Sequence, residues 1–356
     1  MPLSRELPVL VEPGLTPQAS LARDRFLLDA VVAEPSRWPA ALRVYEVVGA
    51  VVSIGRWQLA PPKSGSEVTL MRRHSGGRAA AFGTGFVGVT LVLPRRGALL
   101  EPGPAALRPE QVMNRYVRGI LGALEGEGVA AIYPGRDTIT AGRRLLGIVS
   151  FAETRAGALL VEALLATSGD PSTLPRLLDR ADPGGTVRTE MLQPADTTSV
   201  AVQRGQAPTL SEVADWMATG YAKRLGVAPV ARTLADAEST RLAGLAATTL
   251  ADASWLAART PRGDLDHRAS TRAMLGTLDV HLAVASEGQI RDACISGDLI
   301  AADGTIPALE EGLRGCAPER SAVSAAVERV LAAPSHFLLG IGRTDTLTDT
   351  VMQALG

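Results

Sequence analysis

Leu70 to Pro94 reads LMRRHSGGRAAAFGTGFVGVTLVLP, joining two arginines, a small-residue loop and an apolar β-branched run in one supersecondary unit. Gly76, Gly77, Gly83 and Gly85 open φ > 0 to the backbone, so successive N–H groups can converge into an anion-binding concavity. Arg72 and Arg73 arrive there from the preceding strand. The closing VGVTLVLP has the composition of a strand in a covered sheet. The unit reads as a ligand cradle, with a plain glycine-rich hairpin as the bland alternative.

The neighbouring segments decide between the two. Leu42 to Gln58 reads LRVYEVVGAVVSIGRWQ, Gly135 to Phe151 reads GRDTITAGRRLLGIVSF, and Ala156 to Leu160 reads AGALL. In this order and spacing they resemble the lipoate-protein ligase family, part of the wider biotin and lipoate ligase fold, over most of the chain. The family pattern is Ser-x-Gly-Arg-x-Gln, Arg-Arg-x-Ser-Gly-Gly-Gly, Gly-Arg-Asn-Asp, a Lys-x-x-Gly strand and a Gly-Thr-Leu-Leu strand. Ser53, Gly55, Arg56 and Gln58 match the first, and Arg72, Arg73, Ser75, Gly76 and Gly77 match the second. Gly135, Arg136, Gly147, Gly157, Leu159 and Leu160 match parts of the rest. Four departures stand out: Arg78 replaces the third glycine, Phe82 and Gly83 replace a His-Asp pair, Asp137 and Thr138 replace Asn-Asp, and Arg144 occupies the lysine position.

The resemblance implies an α+β fold, a mixed β-sheet flanked by helices, followed by a small C-terminal αβ accessory domain. It implies ATP-dependent activation of lipoate or octanoate to an acyl-adenylate, then transfer to a lysine of a lipoyl carrier domain, of a 2-oxo acid dehydrogenase E2 or a glycine-cleavage H-type protein. By the same token Arg72, Arg73, Ser75, Gly76, Gly77, Arg78, Arg136, Gly147 and Gly157 are expected to bind substrate or nucleotide. Asp137 is expected to hold Mg²⁺, and Arg144 to act as the catalytic cation. A carboxylate approaching a triphosphate needs donors and positive charge, which the N–H groups of Ser75 to Arg78, with Arg72 and Arg144, would supply. Val51, Val89, Leu91, Leu146 and Val149 offer aliphatic walls for an acyl tail.

Composition agrees with an ordinary globular protein of about two domains: 356 residues, 46% hydrophobic, 21% charged. A net charge of −1 gives no argument for a nucleic-acid partner or a membrane surface. No run of about 18 apolar residues and no secretion signal is seen, so the cytoplasm is the expected compartment. Of the 36 Lys and Arg residues only Lys63 and Lys223 are lysines. That bias gives a bland account of Arg144, although a forked guanidinium is no silent replacement for an ammonium.

Periodicity predicts helices over 19–34, 108–126 and 234–251, and a capping box at Thr209-x-x-Glu212 opens another that Gly226 stops. Strands are expected at 44–45, 50–54, 67–72, 88–93, around Arg144 and over 158–165, with 61–64 as a loop and 169–198 as surface loops and short helical turns. Thr260 to Gly263 reads as a linker between a catalytic domain, 1–260, and an accessory domain, 264–356. The second has a hairpin around Glu287-Gly288 and helices at 307–313 and 321–331.

Two other readings remain open. A catalytically silent lipoate- or acyl-binding relative would keep the cradle and lose turnover, as Arg144, Arg78, Phe82 and Gly83 suggest. An octanoyl or lipoyl transferase of the same fold that used a cysteine would need a thiolate at the pocket, yet Cys294 and Cys316 lie in the last quarter of the chain. His74 reads as an ordinary loop histidine, having no carboxylate nearby in sequence to orient it. No Gly-x-Ser-x-Gly elbow supports a serine hydrolase.

Overall fold

The structure, a computed structural model, describes residues 6–60, 68–100, 107–181, 192–246, 253–260 and 264–356. Its centre is an eight-stranded mixed sheet, in spatial order β11 (Ala228–Ala231), β1 (Glu6–Leu15), β2 (Ala41–Val47), β6 (Phe86–Leu93), β10 (Leu159–Ala166), β9 (Arg144–Glu153), β8 (Thr138–Ala141) and β7 (Ala131–Ile132). β1 runs parallel to β2 and β11, and every other pair is antiparallel. β6 and β10 are buried along their whole length, so they read as continuous apolar runs without alternation.

One face of the sheet is covered by α2 (Pro109–Gly126) and α5 (Leu210–Leu225), whose Val112, Tyr116, Ile120, Val213 and Met217 pack on Val44, Val89, Leu91, Val149 and Phe151. α2 begins on Pro109, whose missing N–H would be unpaired at a helix start anyway. α5 begins at the expected capping box, Thr209 with Glu212, and ends on Gly226 at φ 67. The other face carries α1 (Pro17–Ala33) and a three-stranded sheet of β3 (Ala50–Ile54) between β4 (Thr69–Arg72) and β5 (Ala80–Gly83). Phe26, Leu27, Val51 and Phe82 close that layer on Tyr45, Ile148 and Leu160. The short helices α3 (Leu174–Ala181), α4 (Val200–Arg204), α6 (Asp236–Leu245) and α7 (Ala253–Leu256) border it. No helix among the described residues is long and apolar enough to cross a membrane.

Beyond residue 264, β12 (His267–Arg272), β13 (Thr277–Val284) and β14 (Ile290–Gly297) form an antiparallel meander. It packs on α8 (Thr305–Leu313), α9 (Arg320–Leu331) and α10 (Asp345–Leu355) around Val280, Ile295, Leu309, Val327 and Val351. A bridge of β15 (Ile300–Ala301) with β16 (Leu338–Leu339) leans on the main sheet, where Phe337 stacks on Phe151 with ring centroids 5.5 Å apart. In return Trp57 enters the C-terminal core, and its carbonyl accepts the Gly297 N–H at 2.9 Å.

The expected α+β architecture is borne out. The helix expected over 234–251 is found as 236–245, and its residues 247–251 lie outside the described ones, as do 61–64, Glu67 of the expected strand and 261–263 of the expected linker. Within 169–198 the structure has two 3₁₀ turns and α3, with 182–191 outside the described residues. β1, β5, β7, β8, β11, β12, β15, β16, α4, α7 and α10 were not foreseen.

Candidate functional site

A cleft of about 500 Å³ opens where the β8–β9 hairpin, the glycine-rich loop and the C-terminal unit converge. Its polar lining is Gln58, Arg78, Thr138, Thr140, Arg143, Asp196 and Asp298. Its apolar lining includes Ile54, Leu59, Leu145, Ile148, Leu174 and Leu178. Ala79, Leu145, Ile148 and Leu174 also border an adjoining apolar chamber of about 30 Å³, closed by Ala81, Phe86, Gly147 and Leu164. The walls expected from the sequence are not these. Val51, Val89, Leu91, Leu146 and Val149 are fully buried in the cores.

The reason for the offset is a bulge in β9. Ile139 pairs with Gly147 but Thr140 pairs with Leu145, so Leu146 is an extra residue and the strand changes faces there. Cross-strand partners share a face. Leu145, opposite Thr140, therefore turns to the cleft, whereas Arg144, opposite Ala141, lies on the face of the α2–α5 core to which Ala141 belongs. Arg144 does not line the cleft, and the cation that does is Arg143. The residue expected as the catalytic cation, Arg144, thus stands one position away from the one that lines the cleft. The signal missed was the Gly142-Arg143 turn: a two-residue hairpin there sets the register, and the register sets the faces.

The glycine-rich loop is committed inward. Arg72 donates to the carbonyls of Leu256 (2.9 and 2.8 Å), Gly55 (3.1 Å), Arg56 (2.8 Å) and Gln58 (2.6 Å). Burial, and then Arg259 and Arg56, pull its pKa down to about 9. Arg73 is fully enclosed, donating to Ser75 Oγ and to the carbonyls of Ser53, Gly76 and Arg78. Ser75 Oγ in turn donates to buried Glu162 at 2.5 Å. The Gly76 N–H donates to Phe151 O at 3.3 Å and the Gly77 N–H to Leu299 O at 2.9 Å. Contrary to expectation, then, Arg72, Arg73, Ser75, Gly76 and Gly77 do not reach the cleft. They brace the loop against neighbouring carbonyls, because buried donors must be paired.

Arg78 lines the cleft and grips Asp137 through Nε (2.9 Å) and Nη2 (2.5 Å). Asp137, the expected Mg²⁺ ligand, is 1% exposed and each of its oxygens accepts from this fork, so Arg78 already neutralises its charge. Among the described residues no group of three or more His, Cys, Asp or Glu could hold a metal ion. Asp298, reaching in from the C-terminal unit, accepts from Gln58 Nε2 at 2.7 Å and from the Thr277 N–H at 2.8 Å, and burial raises its pKa. Gly147 borders the inner chamber. Arg136 is exposed and Gly157 sits in the β9–β10 turn, and neither lines the cleft. His74, read from the sequence as an ordinary loop histidine, is buried against Trp255 and bonded to Leu21 O. Cys294 and Cys316 lie in the C-terminal unit, away from the cleft lining.

Residues 264–337 match the family model described as bacterial lipoate protein ligase C-terminus. No curated protein matches the chain in sequence. Among solved structures, the chain resembles LipL1 of P. falciparum in complex with lipoate, at 14% identity and a TM-score of 0.72, covering 98% of this chain and 99% of that one. It also resembles lipoate-protein ligase A bound with ATP, at 18% identity and 0.53, covering 71% and 98%. A third belongs to a structural analysis of an archaeal lipoylation system, a bipartite lipoate protein ligase and its E2 lipoyl domain from Thermoplasma acidophilum, at 16% and 0.56, covering 73% and 99%. The chain thus has the fold of the lipoate-protein ligases, and residues 264–337 carry that family's C-terminal module, which bears out the resemblance read from the sequence.

Proposed function

We propose that the protein activates lipoate or octanoate with ATP and passes the acyl group to a lysine of a lipoyl carrier domain, with residues 1–260 as the catalytic domain and 264–356 as the accessory one. The observation that carries the reading is the cleft itself. Its aliphatic side and small adjoining chamber suit a medium-chain or dithiolane tail, while Arg143, Thr138 and Thr140 on the same wall suit an anionic head. In the first step the carboxylate oxygen attacks the α-phosphorus of ATP and pyrophosphate leaves. In the second, a lysine amine attacks the acyl carbonyl and AMP leaves. Positioning and charge stabilisation are what the protein must supply, since the carrier brings its own nucleophile.

Two consequences follow from the site. A phosphate held by the Gly77 N–H would require Leu299 to withdraw, because its carbonyl occupies that donor. Magnesium, implied by resemblance, would come with the nucleotide's own phosphates as ligands, given the Arg78–Asp137 pair. The second reading, an acyl-binding protein without turnover, is favoured by one observation, the position of Arg144 on the face away from the cleft. Pyrophosphate exchange from ATP, with and without octanoate or lipoate, separates the two. Acid-dependent exchange supports the ligase. Binding of the acid by calorimetry without exchange supports the silent relative, and neither signal defeats both.

A further inference from the structure

We infer that Arg143, at the tip of the β8–β9 hairpin, is the cation that meets the oxyanion end of the ligand in the cleft; the inference rests on the acyl-ligand reading above. Backbone geometry is the first support. The turn Ala141-Gly142-Arg143-Arg144 has φ 56 at Gly142 and φ 65 at Arg143, left-handed at both central positions. Such turns favour Asn or Gly at both positions, and a non-glycine residue there is strained. The only other non-glycine residue with positive φ among the described ones is Leu99. Turn chemistry gives no reason for an arginine at 143, so the reason lies in its side chain.

Placement is the second support. The bulge at Leu146 puts Arg144 on the core face, while Arg143 lines the cleft on the same wall as Thr138 and Thr140. Availability is the third. Arg78 is held by Asp137 and Arg72 by backbone carbonyls, but Arg143 has no hydrogen-bond or ion-pair partner among the described residues. A forked, permanently charged head with open donors is matched to a carboxylate or a phosphoryl oxygen.

The test uses the full chain with Arg143→Gly, Arg143→Lys and Arg144→Ala. Glycine accepts φ 65 without strain, so Arg143→Gly should melt at or slightly above the parent temperature, which separates loss of the charge from loss of the fold. Octanoate affinity by calorimetry and octanoate-dependent pyrophosphate exchange should each fall about tenfold or more, the scale of one charge-assisted hydrogen bond. Lysine should restore part of the loss, and Arg144→Ala should stay within about twofold of the parent. A larger fall in exchange than in octanoate affinity would place the contact on phosphate; equal falls would place it on the carboxylate. If Arg143→Gly matches an active parent, or if Arg144→Ala loses more, the assignment of Arg143 is overturned while the acyl reading stands. A parent that neither binds octanoate nor exchanges defeats the acyl reading and this inference with it.

Discussion

Replacing Gly76 by alanine should loosen the C-terminal unit from the main sheet. A Cβ built there lies 2.3 Å from the Leu299 carbonyl oxygen and 2.9 Å from Ile300 Cα, both backbone atoms that no side-chain rotation can move aside. Ordinary carbon–oxygen contact would require the strap to back away by about 1 Å. That displacement would take the Gly77 N–H···O Leu299 bond, now 2.9 Å, beyond hydrogen-bonding range. Overpacking of this kind costs about 1–3 kcal/mol, and leaving the Gly77 donor unpaired adds about 1–3 kcal/mol. A loss of about 2–6 kcal/mol should appear as a lower urea midpoint and as faster amide exchange across Gly297 to Ala301. Gly244→Ala, with nothing within 4 Å of its Cβ and a place inside α6, is the control and should be neutral or gain up to about 1 kcal/mol. A Gly76→Ala protein with unchanged midpoint and unchanged exchange at Leu299 would refute the docking geometry.

His74, whose pKa is pulled from 6.5 to about 3 by burial and then by Arg56, should make the protein acid-sensitive. The unfolded chain takes up the proton first, so this contribution is complete above about pH 6.5 and declines as pH falls towards 3, by about 2 kcal/mol at pH 5. The stability difference between pH 7.5 and pH 5 should shrink in His74→Gln, and an equal difference in parent and variant would count against the buried neutral imidazole. Arg78→Ala leaves Asp137 buried without its cation and should cost about 3 kcal/mol, much of it recovered in the Arg78→Ala/Asp137→Ala pair. Additive losses in that double-mutant cycle would mean the two side chains do not interact. Affinity for straight-chain acids should rise by about 0.8 kcal/mol per buried methylene up to a cutoff, and Phe86→Ala, by opening the inner chamber, should move the cutoff to longer acids. A flat series would argue against the apolar cleft.

By itself the sequence marked many of the local elements and the fold. Pro109, the Thr209–Glu212 box and Gly226 set helix ends through contacts a few residues away, and the buried strands β6 and β10 announce themselves as unbroken apolar runs. The order of the Ser53–Gln58, Arg72–Gly77 and Gly135–Leu160 segments was enough to indicate the ligase architecture, and the restarted pattern after residue 264 marked the C-terminal module. What the tertiary structure alone decided is which side chains line the cleft. A one-residue bulge at Leu146 exchanges the two faces of β9, because strand side chains alternate with period two, and so puts Leu145 and Ile148 in the cleft and Leu146 and Val149 in the core. Residue spacing along the chain does not record where such an insertion falls. Equally, Arg72 and Arg73 look like ligand cations in one dimension, but their partners include carbonyls of residues 53 to 58 and of Leu256, brought to them only when the chain folds. Asp298 reaches the cleft from 240 residues beyond its partner Gln58, a distance over which pattern carries no contact information and only packing does.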